Sequence, residues 1–281
     1  MRGLLLVAAL AAAPAVATAQ SLREFSILRQ HQGEPALAVQ LDFAAGSLAL
    51  GPAPAGTLFG FRLTYDDTRF APLAEYGRGG TLRLGATTLG QGGVRVASSR
   101  SEMQAATVVL STRTDLDLEL RLDAVEASLD LGGLRLTRLA LGATASRASL
   151  RFGQPNPVRC TDASLDAGAG ELTVTGLGNA RCERLSVRGG AGRVTLDFSG
   201  RWSGRMGVTA GMKMGELVLR LPRRAGVRLA TDTFLARFAP AGLTSSDDGR
   251  TWTTPEFAGA ASPLEVRIES AIGGVRVEWI D

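Results

Sequence analysis

The chain has 281 residues, 45% of them hydrophobic and 5% aromatic, with 35 glycines and a formal net charge of +4. That is apolar material for one large core or two ordinary ones, and the glycine-rich, aromatic-poor balance favours many short strands on tight turns over a helical bundle. Lys213 is the only lysine, and the arginines alternate with Asp and Glu instead of clustering, with Arg223-Arg224 as the one adjacent basic pair past the leader, so a nucleic-acid-binding surface is not expected.

The N-terminus is a short positive end, Met1-Arg2-Gly3, then an apolar run from Leu4 to Ala13, then the Ala-x-Ala pattern of Ala17 and Ala19 before Gln20. The apolar run is too brief to span a bilayer, and the three parts together read as a secretory signal over residues 1–19, cleaved before Gln20. Gln20 in place of Cys gives no support to lipid attachment. No later stretch is long and apolar enough for a membrane span, so the mature chain is expected in the periplasm or outside the cell.

From there the pattern is strand-like. Ala36 to Phe43 alternates apolar and polar, Gly46-Ser-Leu48-Ala-Leu50 and Phe59-Gly-Phe61-Arg-Leu63 continue it, and Gly51 to Gly56 reads as a turn or loop. Gly80-Thr-Leu82-Arg-Leu84 repeats the phrase. Asp115 to Leu122 is the cleanest alternating run, which must bury one face and wet the other. Gly132-Gly133 breaks the pattern before Leu134 to Leu141. Arg159 to Val174 then recurs 22 residues on as Arg181 to Leu196, and more loosely from Met206 to Leu221. The matched positions 127, 146, 170, 192 and 215 are separated by 19, 24, 22 and 23 residues.

A period in this range predicts stacked coils, since each repeat buries its apolar face only against itself and its neighbours. The expected fold is all-β, a β-solenoid (β-helix-like) of roughly 19–24-residue repeats with a capped C-terminus, the alternative being a β-sandwich. Residues 20–125 read as an N-terminal β-rich segment and 126–281 as the repeat domain, its ending Gly273 to Trp279 a last coil plus cap. Gly168/Gly190/Gly211 and Gly170/Gly192/Gly215 are expected as stacked corners. In this register Leu172, Val194 and Leu217 point inward while Thr173, Thr195 and Val218 face out, with Asp197 beside Arg220 as a surface pair.

Cys160 and Cys182 hold the same place in consecutive repeats, so their backbones should lie about 4.8 Å apart, within reach of a disulfide. With an export signal ahead of them, that pairing is the expectation, adding on the order of 3 kcal/mol. The alternatives are two free thiols packed as small apolar groups, or a metal site, which lacks any Cys-x-x-Cys or His partner. Ser245, Asp247, Gly249, Thr251 and Trp252 spell the Asp-box phrase familiar from sialidases. It marks a hairpin with Trp tucked beneath and carries no catalytic group; the chain has one copy, and only Tyr65 and Tyr76 as tyrosines.

His31, the sole histidine, lies in a polar segment read as an exposed loop, which leaves a Ser-His-Asp arrangement nothing to build on. Asp130, Asp166 and Asp197 are the candidates for paired-carboxylate chemistry on a β-helix, yet they do not share a column. Asp66-Asp67 and Asp247-Asp248 read as turns. No cofactor motif is present.

Leu131 to Leu136, Ala148 to Phe152, Asn156-Pro157, Gly178 to Cys182 and Val194 to Phe198 resemble the toast-rack family of bacterial envelope proteins, relatives of the C-terminal domain of LiaF-type cell-wall stress-response proteins and of adhesin-head repeats. The resemblance covers residues 126–281 well and residues 21–125 by general pattern only. It implies a β-solenoid-like domain without an active site and carries over no catalytic residues. The transmembrane helices of LiaF-type proteins have no counterpart here. The expectation is a non-catalytic cell-envelope scaffold or binding module, adhesive or linked to envelope stress, with an envelope protein or glycan as partner and the solenoid ends as a route to homo-oligomers. A carbohydrate-active enzyme on a β-helix is the alternative.

Overall fold

The computed structural model describes residues 22–89, 104–231, 240–246 and 249–281. The signal with Ala17, Ala19 and Gln20, the Gly/Ser-rich stretch 90–103, Phe234 to Phe238, and Asp247 with Asp248 lie outside the described residues. The N-terminal part holds β1 (Leu22–Gln30), β2 (Ala36–Pro52), β3 (Thr57–Asp66), β4 (Phe70–Gly77), β5 (Thr81–Thr88) and β6 (Ala105–Leu110). The middle holds β7 (Asp115–Asp130), β8 (Arg135–Ala143), β9 (Arg147–Arg151), β10 (Cys160–Thr175), β11 (Cys182–Asp197) and β12 (Met206–Pro222). β13 (Val227–Thr231), β14 (Thr244–Ser245), β15 (Thr251–Thr253) and β16 (Leu264–Ile280) follow. Among the described residues the only helical pieces are two 3-10 turns, and no helix is long and apolar enough to cross a membrane.

The spine is a parallel ladder. β2 pairs with β7, β7 with β8 and β9, these with β10, then β11, β12 and β16 follow, each parallel to its neighbour. Antiparallel pairing, which a β-sandwich would show throughout, is confined to the two ends.

Period-two alternation builds each rung in two arms. In β10, Ala163 and Leu165 are buried before a corner and Leu172 and Val174 after it, while residues 168–171 are exposed. β11 repeats this with Leu185, Val187, Val194 and Leu196, and all eight belong to one core cluster. Both arms therefore turn their apolar side chains to the same interior, whose burial drives the stacking at about 25 cal/mol per Å² of apolar surface.

The corner explains the glycines. Gly170, Gly192, Gly215 and Gly273 have φ of 138°, 128°, 124° and 147°, and a Cβ on any of them would lie 2.0 or 2.1 Å from a carbonyl oxygen of the rung before. Only glycine takes that backbone at that approach. Where the column passes through the β8–β9 coil, Ser146 stands in its place; its hydroxyl accepts from Val125 N–H at 3.1 Å and donates to Asp123 O at 2.9 Å.

The expected register changes in two places. Val125, not Ala127, is bonded to Ser146, an offset of 21 residues, and Ala127 pairs with Ala148. Gly211 stacks against Arg188, not Gly190, because β11 and β12 keep one unbroken offset, 23 from Arg193 to Glu216. The third copy takes no insertion inside the strand; the extra length sits in the preceding corner loop, residues 198–205.

The outward face also departs from expectation, since Thr195 and Val218 are only 7% and 5% exposed. Arg276 lies beside Val218 in register and its guanidinium donates to Glu216 at 2.8 Å. Arg220 pairs with Asp197 in register, but its ion pair goes the other way, to Glu278 at 2.9 Å, and Asp197 instead accepts from Ser199 N–H.

At both ends, chain order and rung order part company. β2 pairs directly with β7, so β3 to β6 lie outside it: β6 and β3 extend one arm and β5 and β4 the other. Phe59 of β3 meets Tyr76 of β4 at 6.0 Å between centroids, and Arg29 lies 4.0 Å over the same Tyr76 ring, so the two extensions close on each other. At the other end β16 docks on β12, and the intervening β13 adds outside β16, followed by β15 and β14. The expected cap is thus the insertion before the C-terminus, while the final strand is an interior rung.

Candidate functional site

Cys160 and Cys182 face each other in register, joined through their sulfurs, with Cα atoms 4.2 Å apart. Both are buried, so the bond fastens β10 to β11 from inside the core. Next to it Asn156 is buried in a corner loop, where its side chain accepts from Leu136 N–H and donates to Leu136 O and Ala180 O. Disulfide and asparagine hold the same coils at neighbouring points.

On the outside of these coils the side chains of one arm form columns. Ser164, Ser186 and Thr209 make the floor of a groove of about 510 Å³. Its lining includes an ion pair that crosses from rung to rung, in which Arg184 donates from Nε and Nη2 to the two oxygens of Asp162 at 2.6 and 2.9 Å. On the next outward column, beyond the groove, Arg188 does the same to Asp166 at 2.5 and 3.1 Å. The hydrogen bond from Arg184 holds the Asp162 carboxyl below the usual carboxylate range, and Asp162 in turn raises Arg184. Asp166 raises Arg188 likewise. At the far end, Arg228 stacks 4.3 Å over Phe257.

The other arm follows the same rule. Glu126, Arg147, Glu171, Arg193 and Glu216 alternate in sign along one column, with contacts of 3.2 Å from Arg147 to Glu171 and 2.9 Å from Arg193 to Glu216. These pairs are exposed, so each contributes about 0–1 kcal/mol. The bidentate pairs Arg184–Asp162 and Arg188–Asp166 bring steric order as well, because each fixes both side chains.

The remaining candidates are dispersed. Asp130 stands opposite Arg151, Asp166 is held by Arg188, and Asp197 lies on the other arm from Asp166, so the three carboxylates do not converge. His31 is half-buried, not exposed, in the loop before β2, where its Nδ1 accepts from Gly33 N–H at 3.2 Å. Asp66 closes a turn, accepting from the Thr68 hydroxyl at 2.6 Å, and that bond lowers its pKa. In the Asp-box phrase, Ser245 pairs with Trp252 across an antiparallel hairpin, Ser246 N–H bonds Thr251 O, Gly249 N–H bonds Ser246 O, and Trp252 is buried beneath. Among the described residues no group of three or more His, Cys, Asp or Glu is arranged to hold a metal ion.

The groove and its walls were not singled out from the sequence. The signal was available, because Ser164 and Ser186 are identical at matched positions and Asp162 and Arg184 are opposite in charge at the repeat offset of 22.

The sequence matches the profile described as the N-terminal domain of toast_rack, DUF2154, over residues 17–175. The match thus takes in the stretch whose resemblance was general pattern alone. Among curated proteins there is no match. Of solved structures, a "putative cell adhesion protein" from Clostridium sporogenes ATCC 15579 is 15% identical, with 92% of this chain and 100% of that one covered, at a TM-score of 0.48. A "putative adhesin" from Bacteroides fragilis NCTC 9343 is 10% identical, with 93% and 99% covered, at 0.37.

Proposed function

The chain belongs to the toast-rack family, and from that premise we propose that it is an exported, non-catalytic binding module of the cell envelope, built as a β-solenoid and of scaffold or adhesive kind. Residues 1–19 act as the export signal, and residues 20–125 and 126–281 are successive stretches of one ladder, which β7 crosses. The buried disulfide supports the location, since such bonds persist in oxidising compartments.

The observation that carries the reading is the rung-by-rung pairing of acids with arginines across the outward columns. A general acid needs a raised pKa near working pH, whereas Asp162 is pushed the opposite way by Arg184. Fixed charges at fixed spacing instead suit recognition by many shallow contacts. The partner class is an envelope protein or glycan meeting the Ser164, Ser186 and Thr209 groove.

A photocrosslinking residue placed at Ser186 in cells tests this. We expect a discrete set of envelope partners that is absent when the crosslinker is placed at exposed Met214 on the glycine corner. The same abundant bystanders from both positions would sink the proposal.

A further inference from the structure

Along the sequence the arginines alternate with acids, but the fold sorts them. Between β6 and β13, six corner loops connect the end of one strand to the start of the next rung: residues 111–114, 131–134, 152–159, 176–181, 198–205 and 223–226. None contains Asp or Glu, and together they carry seven arginines, all exposed; the loops before β2 and β16, residues 31–35 and 254–263, join the same edge and add one acid each, Glu34, which Arg29 pairs, and Glu256. The loops are stacked neighbours. Asn156 N–H bonds Asn179 O, Gly178 N–H bonds Ser199 O, Arg201 N–H bonds the Asn179 side chain and Arg223 N–H bonds Ile280 O.

Three of the seven are neutralised from outside the loops, Arg159 by Glu183, Arg205 by Glu265 and Arg223 by Asp281. Arg113, Arg181, Arg201 and Arg224 have no acidic partner among the described residues. The opposite edge is built from the glycine corners, and the columns of both faces alternate in sign. Four uncompensated arginines therefore line one edge, against a single lysine, Lys213, on the glycine-corner edge.

We propose that this edge is a docking site for an extended anionic polysaccharide lying along the ladder axis. From Arg113 to Arg224 the row rises five rungs, about 24 Å at ~4.8 Å per rung. It is one loop wide and flanked by self-neutralised faces, a shape that meets a linear chain at four of the six corners, through Arg113, Arg181, Arg201 and Arg224. A lipid surface would require a two-dimensional basic patch. Guanidinium forks donate to carboxylates in bidentate fashion, which suits a polymer with an acid on each repeat unit.

The test uses the full mature chain and fluorescently labelled polygalacturonate, followed by anisotropy across a salt series. We expect binding that weakens steeply with salt, and at least a tenfold loss in the triple variant Arg113→Gln, Arg201→Gln, Arg224→Gln, with a shallower salt slope. Circular dichroism of the triple variant checks its fold, and the single variant Arg201→Gln should show a smaller loss in the same direction. A control triple, Arg147→Gln, Arg193→Gln, Lys213→Gln, should bind as wild type does. Equal loss in the control triple, absence of binding by the wild type, or binding to phosphatidylglycerol vesicles that polygalacturonate does not compete away would each overturn the proposal.

Discussion

Gly192→Ala is the most direct test of how the coils are joined. Gly192 has φ of 128°, and an added Cβ would sit 2.0 Å from Gly170 O. Holding a non-glycine residue in that backbone region costs about 1–3 kcal/mol. Ordinary contact between heavy atoms is near ~3.5 Å, so the rungs must also separate by more than ~1 Å. That weakens the flanking ladder bonds, each contributing about 1 kcal/mol. The sum is about 3–5 kcal/mol, or a fall in Tm of roughly 6–15 °C for a chain of this size. The assay is thermal unfolding by circular dichroism with the disulfide intact, and Gly142→Ala is the control. Gly142 has open space around its Cβ position and no strained φ, so its replacement should move Tm little or upward. A Gly192→Ala protein melting within about 2 °C of wild type would refute the stacked-corner account.

Removing the disulfide with Cys160→Ser and Cys182→Ser should lower stability by about 3 kcal/mol, and thiol labelling of wild type should stay negligible until unfolding, because both sulfurs are buried. Asn156→Ala leaves Leu136 N–H, Leu136 O and Ala180 O without this partner in a buried corner and should cost about 2–4 kcal/mol, read by urea unfolding. The Asp162 carboxyl is depressed in the folded state, so its contribution is present above its unfolded pKa, near ~3.9, and is lost as pH falls through the lower folded value. An acid titration of Tm should therefore fall less steeply below about pH 4 in Asp162→Asn than in wild type.

Much of the fold was legible before any coordinates. Alternation at period two marked Asp115 to Leu122 and Ala36 to Phe43 as half-buried strands. Identity at matched positions placed Cys160 beside Cys182 and Gly170 beside Gly192. Less legible was the third copy, where glycine identity at 211 was a misleading guide. The backbone keeps one register through a strand and absorbs added residues in loops, so Lys213 rather than Gly211 came to lie beside Gly190. The candidate groove was half legible: its Asp162 and Arg184 were separate surface charges until the offset of 22 placed them on one column.

The sequence by itself determined the rung: where its arms alternate, where its glycine corner falls, and which residue lies next to which in the adjacent copy. These follow from local sterics and from a repeat that writes the neighbour's contacts into the same phrase. Tertiary structure alone decided the ends and the edge. β16 stacks on β12 across a separation of 58 residues from Arg220 to Glu278, with β13 outside it. Loop closure costs little more for long insertions than for short ones, so distance along the chain does not encode which strand is outermost. The basic edge has the same origin, since its arginines come from separate loops and meet only because the coils stack.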